Sequence, residues 1–145
     1  MTRILYLVHD LADPAVQKRV AMLQAGGASV RVAGFRRGEK AITSVNGVVP
    51  VDLGQTFNGG FAQRILAVLK LVIGIKKQAA LFEGVDVIIA RNLELLAIGV
   101  RGRAAFTPTK PVVYECLDIH RLMLRRDVIG KTLRALEGWL ARRAA

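Results

Sequence analysis

The chain has 145 residues, the size of one ordinary domain, and 52% of them are hydrophobic, which argues for a real core and against disorder. A single cysteine, Cys116, excludes an internal disulfide and is compatible with the cytoplasm. The net charge of +11, from 22 basic and 11 acidic residues, suits an anionic partner (a phosphate, a nucleic acid or an acidic membrane surface) or simply a solvated basic face.

In chain order, "RILYLV" (3–8) is a compact apolar run and reads as a buried strand. Its five consecutive apolar positions are too few for a signal-peptide core. Asp13 followed by Pro14 is a helix start, with Asp accepting from free N–H groups and Pro fitting the first helical position. Val16, Val20, Met22, Leu23 and Ala25 lie close to one face of that helix, and Gly26-Gly27 stops it. "SVRVAGF" (29–35) is a second strand, ended by "RRGEK".

"GVVPVDL" (47–53) reads as a short edge strand, since Pro50 cannot donate a ladder hydrogen bond. "FAQRILAVLKLVIGIKKQAALF" (61–82) reads as one long helix, apolar on more than one face. Its apolar stretch "ILAVLKLVIGI" is interrupted by Lys70 and falls well short of the about 20 residues of a membrane span. "VDVIIA" (85–90) is a strand, Asn92 or a neighbour opens the next helix, and "PVVYEC" (111–116) is a strand again. The stretch 127–145 is a final helix. Apolar strands alternating with helices predict an α/β fold. This is a Rossmann-like, doubly wound parallel sheet of five or six strands with helices on both faces, in a single domain.

In such a sheet, ligands bind beyond the carboxyl ends of the strands. That rule picks out His9, Asp10 and Asp13 after the first strand and Arg91, Asn92 and Glu94 after "VDVIIA". After "VVYEC" it picks out Glu115, Asp118 and His120. Each has a plain alternative. Asp13 caps its helix, His9 and Asp10 bond loop amides, and Arg91 and Asn92 fix a helix start. Asp118 and His120 form either an acid/base unit or a tie between a loop and a helix. No G-x-G-x-x-G follows the first strand, and neither a phosphate-binding G-x-x-x-x-G-K-[ST] nor a G-x-S-x-G elbow occurs. One cysteine and two distant histidines make no zinc site, so no metal and no resident cofactor is expected.

The order of these stretches resembles the N-terminal domain of GT-B glycosyltransferases of the GT4 type (glycosyl transferases group 1). Arg19, Leu23, Gly27, Val30 and Val32 take the places of that family's opening pattern. "GVDVIIARNLELLAIG" is similar to its "ADVIHAHN…L", and "KPVVYECLDIH" to its "KPVVYDVHDL". "HDLADP" stands where a glycine-rich loop is usual, and Arg91 where a histidine is common. The E-x(7)-E signature of the family's second domain does not occur.

The resemblance implies the acceptor-side half of an enzyme that moves a sugar from a nucleotide sugar to an acceptor, such as a lipid-linked saccharide in polysaccharide biosynthesis. The donor would be bound mainly by a second domain that this chain lacks, leaving the fragment inactive by itself. Asp118 and His120 would be catalytic. His9, Asp10, Asp13, Arg19, Arg91, Asn92 and Glu115 would line the acceptor cleft. A cytoplasmic location follows, with peripheral contact between helix 61–82 and the anionic inner face of the plasma membrane.

Two other readings stand beside it: a stand-alone flavodoxin-like or response-regulator-like module, and a basic nucleic-acid-binding domain. The acidic positions do not match a phosphoacceptor pocket. Aromatic residues, at 6%, are too few to interleave with the basic clusters as nucleic-acid binding requires.

Overall fold

A computed structural model describes residues 1–56, 61–116 and 126–144. Five strands form one all-parallel sheet in the order β3-β2-β1-β4-β5: β1 Arg3–Val8, β2 Ser29–Arg36, β3 Val51–Gln55, β4 Val87–Arg91 and β5 Val112–Glu115. This is the predicted Rossmann-like architecture. The interior strands are apolar on both faces, as a doubly covered parallel sheet requires. In β1 every residue after Arg3 is buried.

Helix α1 (Pro14–Ala25) covers one face, packing Val16 and Val20 on Ile4, Tyr6, Val8 and Val32. Asp13 caps it as expected, its carboxylate accepting from Ala15 N at 2.9 Å. The expected apolar face is narrower than its spacing implied, because Met22 is 62% exposed. No helix joins β2 to β3. A tight turn at Val45–Val48 buries Val45 on the same face instead.

That turn corrects the reading of 47–53 as a strand. Val45 and Val48 bond to each other through both backbone groups, at 2.8 and 3.0 Å, so residues 47–48 belong to the turn. The edge strand starts only after Pro50, which has no N–H to give.

The opposite face carries α2 (Phe61–Ile73), α3 (Ala79–Phe82), α4 (Asn92–Phe106) and α5 (Val128–Ala141), with α4 between α2 and α5. The single helix expected over 61–82 is broken. Gly74 N closes onto Lys70 O at 2.9 Å, a 3-10 turn follows at Ile75–Gln78, and α3 begins after it. The break turns Ile75, Leu81 and Phe82 inward, and all three are buried. Arg31, on β2, donates to the carbonyls of Ala80, Leu81 and Glu83, which satisfies the free end of α3. Asp127 caps α5 by accepting from Gly130 N at 3.1 Å. Among the described residues no helix is long and apolar enough to cross a membrane.

Two glycines let α4 lie close to its neighbours. A Cβ on Gly99 would touch Ile88 Cγ2 at 3.4 Å, and a Cβ on Gly102 would collide with the Phe82 ring. That ring is held by stacking on Phe106, with centroids 5.5 Å apart. Gly102→Ala should therefore lower unfolding free energy in urea by about 1–3 kcal/mol, the usual cost of overpacking. An unchanged midpoint would show that Phe82 moves aside freely.

Candidate functional site

The carboxyl ends of β1, β4 and β5 carry a buried polar cluster, and strand register explains its membership. Arg91 ends β4 opposite Glu115 of β5, while Tyr6 of β1 lies opposite Ile89. Side chains alternate along a strand, so Arg91 and Ile89 share a face, and Tyr6 and Glu115 share it with them. This is the face that α1 covers, so α1 adds Asp13 from its cap and Arg19 from its second turn.

The Tyr6 hydroxyl is the hub. It donates to Glu115 Oε2 at 2.7 Å and accepts from Arg91 Nη1 at 3.0 Å. Burial first, and then the bond to Glu115, push Tyr6 up to about 12, against the opposing pull of Arg91. Arg91 is 8% exposed at its side chain, with Nη1 3.7 Å from Glu115 Oε2 and Nη2 3.6 Å from Asp13 Oδ2. Arg19 Nε lies 2.8 Å from Glu115 Oε1, but its N–H is not aligned on that oxygen, so the contact is ionic rather than a directed hydrogen bond. Asp13 thus serves twice, capping α1 through Oδ1 and facing Arg91 through Oδ2. Two guanidiniums and two carboxylates balance one another in this cluster.

Beside it lies a small recess lined by His9, Phe35, Arg37, Thr56, Arg64 and Glu94. Arg37 approaches Asp10 at 3.8 Å, and Arg64 approaches Glu94 at 3.9 Å. Asp10 also turns back on its own loop, accepting from Ala12 N at 3.0 Å. Burial, then Arg37 and Arg91, hold His9 below the ordinary histidine value, outweighing Asp13 and Glu94. His9 Nε2 lies 3.8 Å from Asp13 Oδ2, yet the lowered value makes this a contact of a neutral ring at pH 7 rather than an ion pair.

Besides Arg19 Nε, whose contact is ionic, three buried polar atoms at this edge have no hydrogen-bond partner among the described residues: His9 Nδ1, Arg91 Nε and Asn92 Oδ1. Asn92 also has φ of 68°, a left-handed conformation that a side chain adopts at a cost.

The structure thus brings His9, Asp13, Arg19, Arg91 and Glu115 together and places Asp10 and Asn92 beside them. Asp118 and His120 lie outside the described residues. Tyr6 was hidden from sequence reasoning inside an apolar run, although it carries the only polar tip in "ILYLV". Arg37, Arg64 and Thr56 enter the recess from elements distant in sequence, and nothing local marks them.

No family model matches the chain. Over 144 residues, 99% of its length, it is 54% identical to the succinoglycan biosynthesis protein ExoL of Rhizobium meliloti (strain 1021), and it spans 36% of that protein. Among solved structures it superposes on a putative UDP-N-acetylglucosamine 2-epimerase from Listeria monocytogenes with a TM-score of 0.58 at 14% identity. The match covers 95% of this chain and 37% of that one. At that identity the likeness concerns the fold alone.

Tyr6→Phe should cost about 1–3 kcal/mol in urea denaturation, because it strips a partner from buried Glu115 and Arg91 together. A smaller loss would mean that the two close on each other without the hydroxyl. His9 gives a pH test. Its folded-state value is depressed, so the unfolded chain binds the proton more readily, and stability is lost as pH falls below the unfolded value of 6.5. His9→Gln should flatten the wild-type stability curve on the acid side of that value. Superimposable curves would show His9 to be solvated.

Proposed function

We propose that this chain is the acceptor-side, Rossmann-like half of a GT-B glycosyltransferase of the GT4 type, acting in polysaccharide biosynthesis. It would work with a donor domain that binds most of the nucleotide sugar. One observation carries the reading: in a chain 54% identical to a succinoglycan biosynthesis protein, most of the unsatisfied buried polar atoms among the described residues lie at the carboxyl edge of the sheet, where ligands bind in such folds. The parallel sheet and its likeness in fold to a putative UDP-N-acetylglucosamine 2-epimerase are compatible with a Rossmann-like half of such an enzyme.

The chemistry of the edge fits a saccharide. Among the described residues, Arg91 Nε is an unanswered donor and Asn92 Oδ1 an unanswered acceptor. A sugar hydroxyl both donates and accepts, so one class of ligand can answer both. His9, kept neutral by burial and by Arg37 and Arg91, adds a ring nitrogen that can accept a hydrogen bond from a sugar hydroxyl. The balanced Arg19–Glu115–Arg91–Asp13 cluster keeps these groups fixed before the acceptor arrives, which spares reorganisation during transfer. By the carboxyl-edge rule Asp118 is the first choice for acceptor activation or loop ordering, with His120 two residues on in sequence.

Two measurements test the reading. The chain alone should transfer no sugar and should bind nucleotide sugars in calorimetry more weakly than about 10 μM, or about −7 kcal/mol. Tighter binding would place the donor site here. In a protein that joins this chain to its donor domain, Asp118→Asn should reduce turnover at least about tenfold, the low end for loss of a general base being about 10². Full activity in that variant would remove Asp118 from the chemistry.

A further inference from the structure

On the face opposite α1, α2 packs on α4, while β3 is the outermost strand of the sheet. Between α2 and β3 runs a groove of about 460 Å³. Leu53 and Gln55 of β3 line one side of it. Gln63, Leu66, Ala67, Lys70, Leu71 and Gly74 line the other. Those positions recur at i, i+3/i+4, i+7/i+8 and i+11, so the groove follows one side of α2 for about 16 Å. Lys77 and Gln78, in the 3-10 turn after Gly74, close its end.

The lining is apolar along its length and of one sign in charge. Leu66 is 57% exposed there, beside Leu53, Ala67 and Leu71. Lys70 and Lys77 line the groove, and among the described residues no carboxylate does. The whole stretch 61–82 holds no acidic residue. Asp52, the acidic residue of β3, is already held by Arg36 at 2.6 Å. A doubly wound sheet is covered by helices on both faces. A helix laid beside α2 at the usual about 8–10 Å between axes would fill the space over β3.

We infer that this groove receives an acidic amphipathic helix of a partner protein, its apolar side chains resting on Leu53, Leu66 and Leu71 and its carboxylates reaching Lys70 and Lys77. Helix-in-groove recognition uses apolar anchors at i, i+3, i+4 and i+7, and charge at the rim selects the partner. The outer edge of β3 is blunted against an added strand. Its pairing with β2 shifts between Gly34 and Arg36, and Gly54 N donates back to Asp52 Oδ1 at 2.8 Å. A second copy of this chain supplies no such helix, because α1 and α2 hold no acidic residue and α4 and α5 hold one each. A flat bilayer does not follow a concave groove to its floor. This docking does not depend on sugar transfer.

The probe is a dye-labelled synthetic helix of about 15 residues, long enough to hold helical structure, with leucine on one face and glutamate on its flanks. In fluorescence anisotropy it should bind this chain at least about tenfold more tightly than a scrambled peptide of the same composition. Amide shifts in NMR should fall on Leu53, Gln55 and the Gln63–Gln78 stretch. Lys70→Glu with Lys77→Glu should weaken binding at least about tenfold, since like charges then face each other. Lys131→Glu with Arg142→Glu makes the same change of charge on α5 and should alter binding less than about twofold. Circular dichroism checks that each variant is folded. Equal binding of the scrambled peptide, or equal loss in the two charge variants, would overturn the inference in favour of unspecific attraction. Amide shifts that avoid the groove, or that anionic vesicles reproduce there without peptide, would overturn it as well.

Discussion

A guanidinium buried at the end of the central sheet is the constraint on which the carboxyl edge depends. Arg91 closes β4, beside the middle strand, with its side chain almost wholly removed from water. A charge in that position is costly unless it is paired and hydrogen-bonded. Register supplies Glu115 directly across from it on β5 and Tyr6 on the other neighbouring strand, β1, opposite Ile89, and the cap of α1 supplies Asp13. Holding Arg91 therefore fixes β1, β4, β5 and the start of α1 relative to one another. Among the described residues the same set leaves Arg91 Nε, His9 Nδ1 and Asn92 Oδ1 without hydrogen-bond partners.

The distribution of charge divides the domain into two kinds of surface. At the carboxyl edge, Arg19, Arg37, Arg64 and Arg91 each stand near a carboxylate. On the helical layer the cations stand beside leucine, isoleucine and tryptophan instead. A net charge of +11 is thus no diffuse property.

Much of this architecture was legible in the sequence because it rests on local signals. Buried parallel strands show as apolar runs, and the Asp13-Pro14 pair states its own helix start. The carboxyl-edge rule then found Asp13, Arg91 and Glu115 before any contact was visible. What stayed hidden depends on contacts between distant segments. Helical spacing continues through Gly74, yet burying Ile75 and Phe82 requires the chain to turn there. Tyr6 reads as one more core residue until register sets its hydroxyl between Glu115 and Arg91. Pro50 located an edge strand correctly, but the Val45–Val48 turn displaced its boundary.

The account stands on Arg91 and Glu115 acting as one unit rather than as two separate polar residues. A double-mutant cycle of Arg91→Met and Glu115→Gln, read by urea denaturation, measures that directly. Each single change should be strongly destabilising, because it strands its partner in a dry site. The double variant should cost less than the two together, with a coupling of about 1–3 kcal/mol. Additivity within about 0.5 kcal/mol would contradict the account and leave Arg91 held by the fold without Glu115.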